Sequence, residues 1–189
     1  MHPFRQYINQ YEPFSEEEWL RVDPCITRKT YPKNHALLVE GQRCEKLWFT
    51  ESGLVRFFTF KNGEDVTKFF TVPPYCFTAQ KSFTTDAPAA ENISTLEASV
   101  IWEMSKKDAF GLLDMKSWAE FIRKLIQEVQ FNTEQLYEDA QNRTAEDRYI
   151  EMLEQGSPIL NRVPLKYLAS YLGIAPQSLS RIRKKYASS

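Results

Sequence analysis

The side chains best placed to do chemistry lie near the carboxyl end, in LKYLASYLGIAPQSLSRIRKK, residues 165 to 185. Gln177 and Arg181 stand one helical turn apart, and each carries a planar group able to make two parallel hydrogen bonds to a base edge, Arg with guanine and Gln with adenine. Ser178 and Ser180 add hydroxyls beside them. Lys166, Arg183, Lys184 and Lys185 suit phosphates, which give affinity and salt dependence but carry no sequence information. Between Gln155 and Ser189 there are six basic residues and no acidic one, which leaves 18 of the 24 basic residues to face all 25 acidic residues in the rest of the chain. The net charge of -1 therefore conceals a basic end, and double-stranded DNA is the expected partner. The plainer alternative is a helical hairpin with a solvated basic face.

Other chemistries lack their residues. Cys25, Cys44 and Cys76 are far apart, and the only histidines are His2 and His35. No disulfide framework, multi-histidine site or cysteine cluster follows from such spacing, so neither a metal nor a cofactor is expected. No run approaches the roughly 20 apolar residues of a membrane span, and the start lacks the apolar core of a secretion signal. The expectation is a cytoplasmic chain that makes no membrane contact.

The elements that must hold the basic stretch can be read in order. Ser15 and Glu18 form a capping box before a short helix. From Cys25 to Met104 the chain breaks into short β-rich runs separated by turn residues, and Asn62-Gly63 between two alternating runs is a hairpin signal. Many short strands with tight turns predict an antiparallel sandwich or roll. Ser105 caps the next helix, and from Ser117 to about Gln141 no Gly or Pro interrupts the pattern. There Trp118, Phe121, Ile122, Leu125, Val129 and Leu136 fall on one stripe with Asn132. The stripe could pack on its own sheet. It could instead form a two-helix seam in a homodimer with Asn132 setting the register, and a rod of about 37 Å favours the seam. Thr144 and Asp147 then cap a further helix that Gly156 can end. Three segments result: 1–116 as a β domain, 117–141 as a dimerisation helix, and 142–189 as an all-helical DNA-binding domain.

Around Gly173 the spacing fits a helix-turn-helix. Leu168, Ala169 and Leu172 precede it and Ile174, Leu179 and Ile182 follow it, in the places where two crossing helices need apolar or small side chains. Gly173 can turn the backbone through a positive φ, and Pro176 can open the second helix at no hydrogen-bonding cost.

With a β domain and one long helix ahead of this motif, the chain resembles the Crp/Fnr family of bacterial transcription regulators. LLVEGQRCEKLWFTESGLVRFFTF is similar to that family's β-roll, WEMSKKDAF to its exit into the helices, and VPLKYLASYLGIAPQSLSRIRKK to the carboxyl end of its Bacteroidetes branch. The resemblance implies an α+β chain: an antiparallel β-roll of the jelly-roll or double-stranded β-helix kind, with a cyclic-nucleotide-binding-like character, then a dimerisation helix and a helix-turn-helix. It also implies a homodimer that meets DNA and the transcription machinery, with a β-roll that either takes an unidentified small-molecule effector or only scaffolds the dimer. The pocket residues it implies are Phe70, Ala79, Gln80, Lys81, Ala89 and Ala90. Members that bind cyclic AMP carry Gly-Glu and Arg-Ser-Ala in the phosphate cassette, where this chain has Thr78-Ala79 and Ala89-Ala90. Alanine cannot replace the bidentate contact of an arginine with a cyclic phosphate, so cyclic AMP is not the expected effector. A β-roll that only binds a protein partner, and a cupin-like enzyme, are the alternatives; two distant histidines argue against the enzyme.

Overall fold

The computed structural model describes residues 2–186; Met1 and residues 187–189, which include the outer limits of the first and last expected segments, lie outside the described residues. Two short helices, α1 (Pro3–Ile8) and α2 (Glu16–Val22), precede the roll. The Ser15–Glu18 capping box forms as the sequence predicts, with both reciprocal bonds present. The strands are β1 (Ile26–Tyr31), β2 (Ala36–Leu38), β3 (Lys46–Ser52), β4 (Val55–Lys61), β5 (Glu64–Thr71), β6 (Tyr75–Phe77), β7 (Asn92–Thr95) and β8 (Ser99–Ser105), with α3 (Gln80–Thr85) between β6 and β7. They form two antiparallel sheets in the orders β1-β8-β3-β6 and β2-β7-β4-β5. This is the expected jelly-roll core.

Local residue choices explain the turns. Asn62 and Gly63 take φ of 54° and 81°, the positive values that a two-residue hairpin turn needs, and β4 pairs with β5 from Lys61–Glu64 to Val55–Thr71. Gly53 is needed for a different reason. At φ 105° a Cβ there would lie 2.1 Å from Ser99 Oγ and 2.7 Å from Ser99 Cα, so β3 can turn into β4 against β8 only without a side chain.

The roll core lies between the sheets, where Phe49, Phe57, Ile93 and Ile101 are buried, and α1, α2 and α4 (Lys106–Gly111) close its end. Buried Glu103 on β8 is the main polar group on the first sheet. Burial alone would raise its pKa, but hydrogen bonds from Lys29, Lys46, Tyr31 and Trp48 outweigh that and bring it down to about 2. Because the folded pKa lies below the ordinary 4.5, the stabilisation is fully present above pH 4.5 and is lost as pH falls through 2. Urea titrations across that window should show stability falling by about 3 kcal/mol more in the native chain than in Glu103→Gln. Parallel pH curves for the two would show that Glu103 is not held this way.

The helices after the roll are α5 (Lys116–Asn142), α6 (Ala145–Glu154), α7 (Ile159–Arg162), α8 (Leu165–Leu172) and α9 (Pro176–Tyr186). Thr144 and Asp147 cap α6 as predicted. The first half of α5 corrects the expected seam. Trp118, Phe121 and Leu125 are buried against the chain's own roll, and Trp118 Nε1 donates to the Ala109 carbonyl at 2.9 Å, so a second copy cannot reach them. The physical reason is that the roll leaves an open apolar end, and the first turns of α5 cover it. Past Leu125 the helix leaves the roll surface; Ile126 is 43% exposed, Leu136 is 41% exposed, and Asn132 is also exposed.

Candidate nucleic-acid interface

The helix-turn-helix forms around the predicted glycine. Gly173 takes φ 73° and closes α8 by donating to the Ser170 carbonyl at 3.1 Å, while Ile174 donates to Ala169 at 3.0 Å. Leu168, Ala169, Leu172 and Leu179 are buried, and Ile174 and Ile182 pack at the margin of the same cluster. Pro176 opens α9 in its first turn.

Burying Leu179 and Ile182 turns the other side of α9 outward. Gln177, Arg181 and Lys184 are exposed there, and Ser178 and Ser180 flank them half-buried. Lys166 is exposed on α8, its ammonium 4.5 Å from the Tyr167 ring centroid. The two other cations have partners within the chain. Arg183 donates to the Leu160 carbonyl at 2.9 Å, and Lys185 pairs with Glu146 of α6 at 2.7 Å. The structure therefore divides the predicted residues into an outward group, Gln177, Arg181, Lys184 and Lys166, and a pair that ties α9 to α7 and α6.

The six predicted pocket residues do not converge on one cavity. Gln80 lines an apolar cleft of about 300 Å³ between β6, α3, α4 and α5, whose walls include Phe69, Tyr75, Phe83, Ile122 and Ile126. Phe70 lines a different, more polar cleft of about 500 Å³ that also touches Asn132 and Tyr171. Ala79 and Ala89 are buried, and Ala89 exchanges backbone hydrogen bonds of 2.8 Å with Gly41 and Gln42, so the cassette loop is closed against the Gly41 turn. Lys81 and Ala90 face solvent. Among the described residues no three His, Cys, Asp or Glu side chains group as metal ligands would. No helix among them is long and apolar enough to cross a membrane.

Two features escaped the sequence reading. One is the course of the outer stripe on α5: Ile122, Val129 and Leu136 of the expected seam continue through Ala119, Ile126, Thr133 and Ala140, spaced alternately by three and four, an alternation masked by the stronger aromatic residues beside it. The other is Arg56 on β4, buried with its guanidinium 3.7 Å from the Tyr167 ring centroid of α8. No sequence pattern announces it, because Tyr167, which covers it from α8, lies far away along the chain.

Residues 28–116 match the family described as cyclic nucleotide-binding domain. The c-di-GMP responsive global regulator CLP of Xanthomonas campestris superposes with a TM-score of 0.71 at 15% identity, covering 92% of each chain. A transcriptional regulator assigned to the Crp/Fnr family from Eubacterium rectale gives 0.72 at 12% identity, covering 93% of this chain and 84% of its own. The chain shares the fold of these regulators, a cyclic nucleotide-binding roll followed by a long helix and a helical end. The catabolite activator protein of Thermus thermophilus is similar to this chain at 21% identity and a TM-score of 0.54, covering 93% of this chain and 84% of its own. No curated protein sequence matches it.

Proposed function

We infer that this chain is a homodimeric, cytoplasmic transcription regulator of the Crp/Fnr type that reads double-stranded DNA with α9, engages the transcription machinery and catalyses no reaction. The observation that carries the reading is the outward face of α9: Gln177, Arg181 and Lys184 exposed on a helix whose opposite side is locked into a helix-turn-helix core. Gln177 and Arg181 read bases, while Lys184 and Lys166 meet phosphates. Residues 1–116 act as the sensor, 117–141 join two copies, and 142–189 bind DNA. The seam is the outer stripe of α5, with Ile126 and Leu136 exposed, Ile122 and Val129 half-buried and Thr133 as its polar position. Two copies joined there would present their α9 helices to half-sites about 34 Å apart.

Selection of bound duplexes from a random pool tests this reading. The expected product is a two-fold symmetric site recovered at physiological salt by a species of twice 22.2 kDa. A pool that binds only at low salt and enriches nothing would leave a basic end without a reading head.

The effector is not cyclic AMP. The loop from Tyr75 to Ser94 contains one cation, Lys81, and it faces solvent, while the adjoining cleft is walled by Phe69, Tyr75, Phe83 and Ile122. A ligand that fits the cleft is apolar and uncharged, because a buried phosphate without an arginine would lose its hydration uncompensated. Calorimetry with cyclic AMP should show no affinity in the micromolar range. A micromolar dissociation constant would mean that another cation reaches the phosphate.

A further inference from the structure

β5 is the last strand of its sheet, and an edge strand leaves outward N–H and C=O groups without strand partners. Here α8 meets them. The Thr67 N–H donates to Ser170 Oγ at 2.9 Å, and the Ser170 hydroxyl donates to the Asp65 carbonyl at 3.1 Å, so one side chain answers both outward groups. Beside this contact Arg56 is 2% exposed. Its Nε donates to Thr67 Oγ1 at 2.9 Å, and its two terminal nitrogens bridge the carboxylate of Asp65. The rings of Tyr167 and Phe58 lie 3.7 Å and 4.3 Å from the guanidinium carbon, measured to their centroids. A buried guanidinium is tolerated only when a carboxylate, other acceptors or aromatic faces replace its water, and α8 supplies one of those faces.

The contact continues along the junction. Leu54 and Leu96 of the roll belong to the same buried cluster as Leu168 and Leu172. Arg162 of α7 donates to the Gly53 carbonyl at 2.8 Å and pairs with Glu97. The helical end of the chain is therefore bound to its own roll through α7 and α8, by a route that does not pass along α5. The geometry points to Arg56 and Tyr167 as positioning residues for the recognition helix: they hold α8 on β5, and α8 carries α9 through the fixed turn at Gly173. The assignment rests on the reading of α9 as the DNA-contacting helix. Gln177, Arg181 and Lys184 remain exposed while α8 is docked, so the docked pose presents the reading face and does not hide it. Holding a head in its reading pose lowers the ordering cost of binding, equally for every sequence.

The test compares Tyr167→Ala, Tyr167→Phe and Ser170→Ala with the native full-length chain, by amide hydrogen exchange at Thr67 and by affinity for duplexes selected with the native chain. Loss of the ring in Tyr167→Ala should speed exchange at Thr67 and weaken binding to all duplexes by about tenfold, with their order of preference unchanged. Tyr167→Phe keeps the ring over Arg56 and should match the native chain in both measurements. Ser170→Ala, the milder change, should speed Thr67 exchange and weaken binding in the same direction. Unchanged exchange in Tyr167→Ala would show that the ring does not hold α8. Faster exchange with unchanged or tighter DNA binding would show that docking does not position the head. A native chain that enriches no duplex would instead overturn the DNA reading, and Thr67 exchange would still report whether the clamp exists.

Discussion

Ile126→Asp should sediment as a folded monomer at micromolar concentration, where the native chain should sediment as a dimer. Ile126 sits in the alternating three-and-four stripe of α5 and is 43% exposed in the single chain, so the fold does not need it, whereas a partner helix at the proposed seam would. At a two-fold seam the substitution places two carboxylates opposite one another in a region that excludes water. The cost is at least about 3 kcal/mol, or more than about 100-fold in dimer dissociation. Leu125→Asp, one residue earlier, should behave differently. Leu125 is 7% exposed and packs with Trp118 and Phe121 under the roll, so a charge there should unfold the β domain and leave no soluble monomer. If the two variants exchanged these behaviours, the inward and outward faces of α5 would have to be reassigned.

The second large effect concerns the reading head. Arg181→Ala should cost roughly 1 to 3 kcal/mol on the selected site and relax preference at one base position, because a bidentate contact to guanine has no substitute in alanine. Lys184→Ala should instead weaken all duplexes about equally and flatten the salt dependence by roughly one counterion. Both residues are exposed on α9 and neither supports the core, so melting temperatures should stay close to native. The control is Arg183→Ala. Its guanidinium is bonded to the Leu160 carbonyl, so its loss should lower the stability of the helix-turn-helix and leave base preference unaltered. A change of preference in Arg183→Ala, with none in Arg181→Ala, would mean that α9 presents a different face to the groove.

Much of this was legible in the sequence because the signals were local. Capping pairs three residues apart, the Asn62-Gly63 turn and the apolar residues around Gly173 each act within one or two turns of chain, and all took the predicted form. The long helix was legible as a helix but not in its division of labour. Two apolar stripes share it, and the larger aromatic one, at Trp118 and Phe121, is the one the roll needs. Which stripe turns inward depends on the open end of a β-roll that periodicity along α5 does not describe. The fates of Arg183 and Lys185 were hidden for a similar reason. A basic run looks uniform until Leu160 and Glu146, 23 and 39 residues away, come within hydrogen-bonding distance. The predicted pocket was least legible, since Phe70 and Gln80 are separated by the fold into two clefts.

The cover that α8 places on β5 bears on how the molecule can be divided. Cutting the chain after α5 would remove Ser170 and Tyr167 together, leaving a bare strand edge at Asp65 and Thr67 next to the exposed Phe60 at the hairpin tip. Such an edge recruits the matching edge of another molecule. An isolated roll should therefore self-associate, because the helix that covers its edge is encoded 103 positions later, from Thr67 to Ser170. An insertion or a weakened turn near Asn142 would then show itself first as self-association of the roll, before any loss of α9.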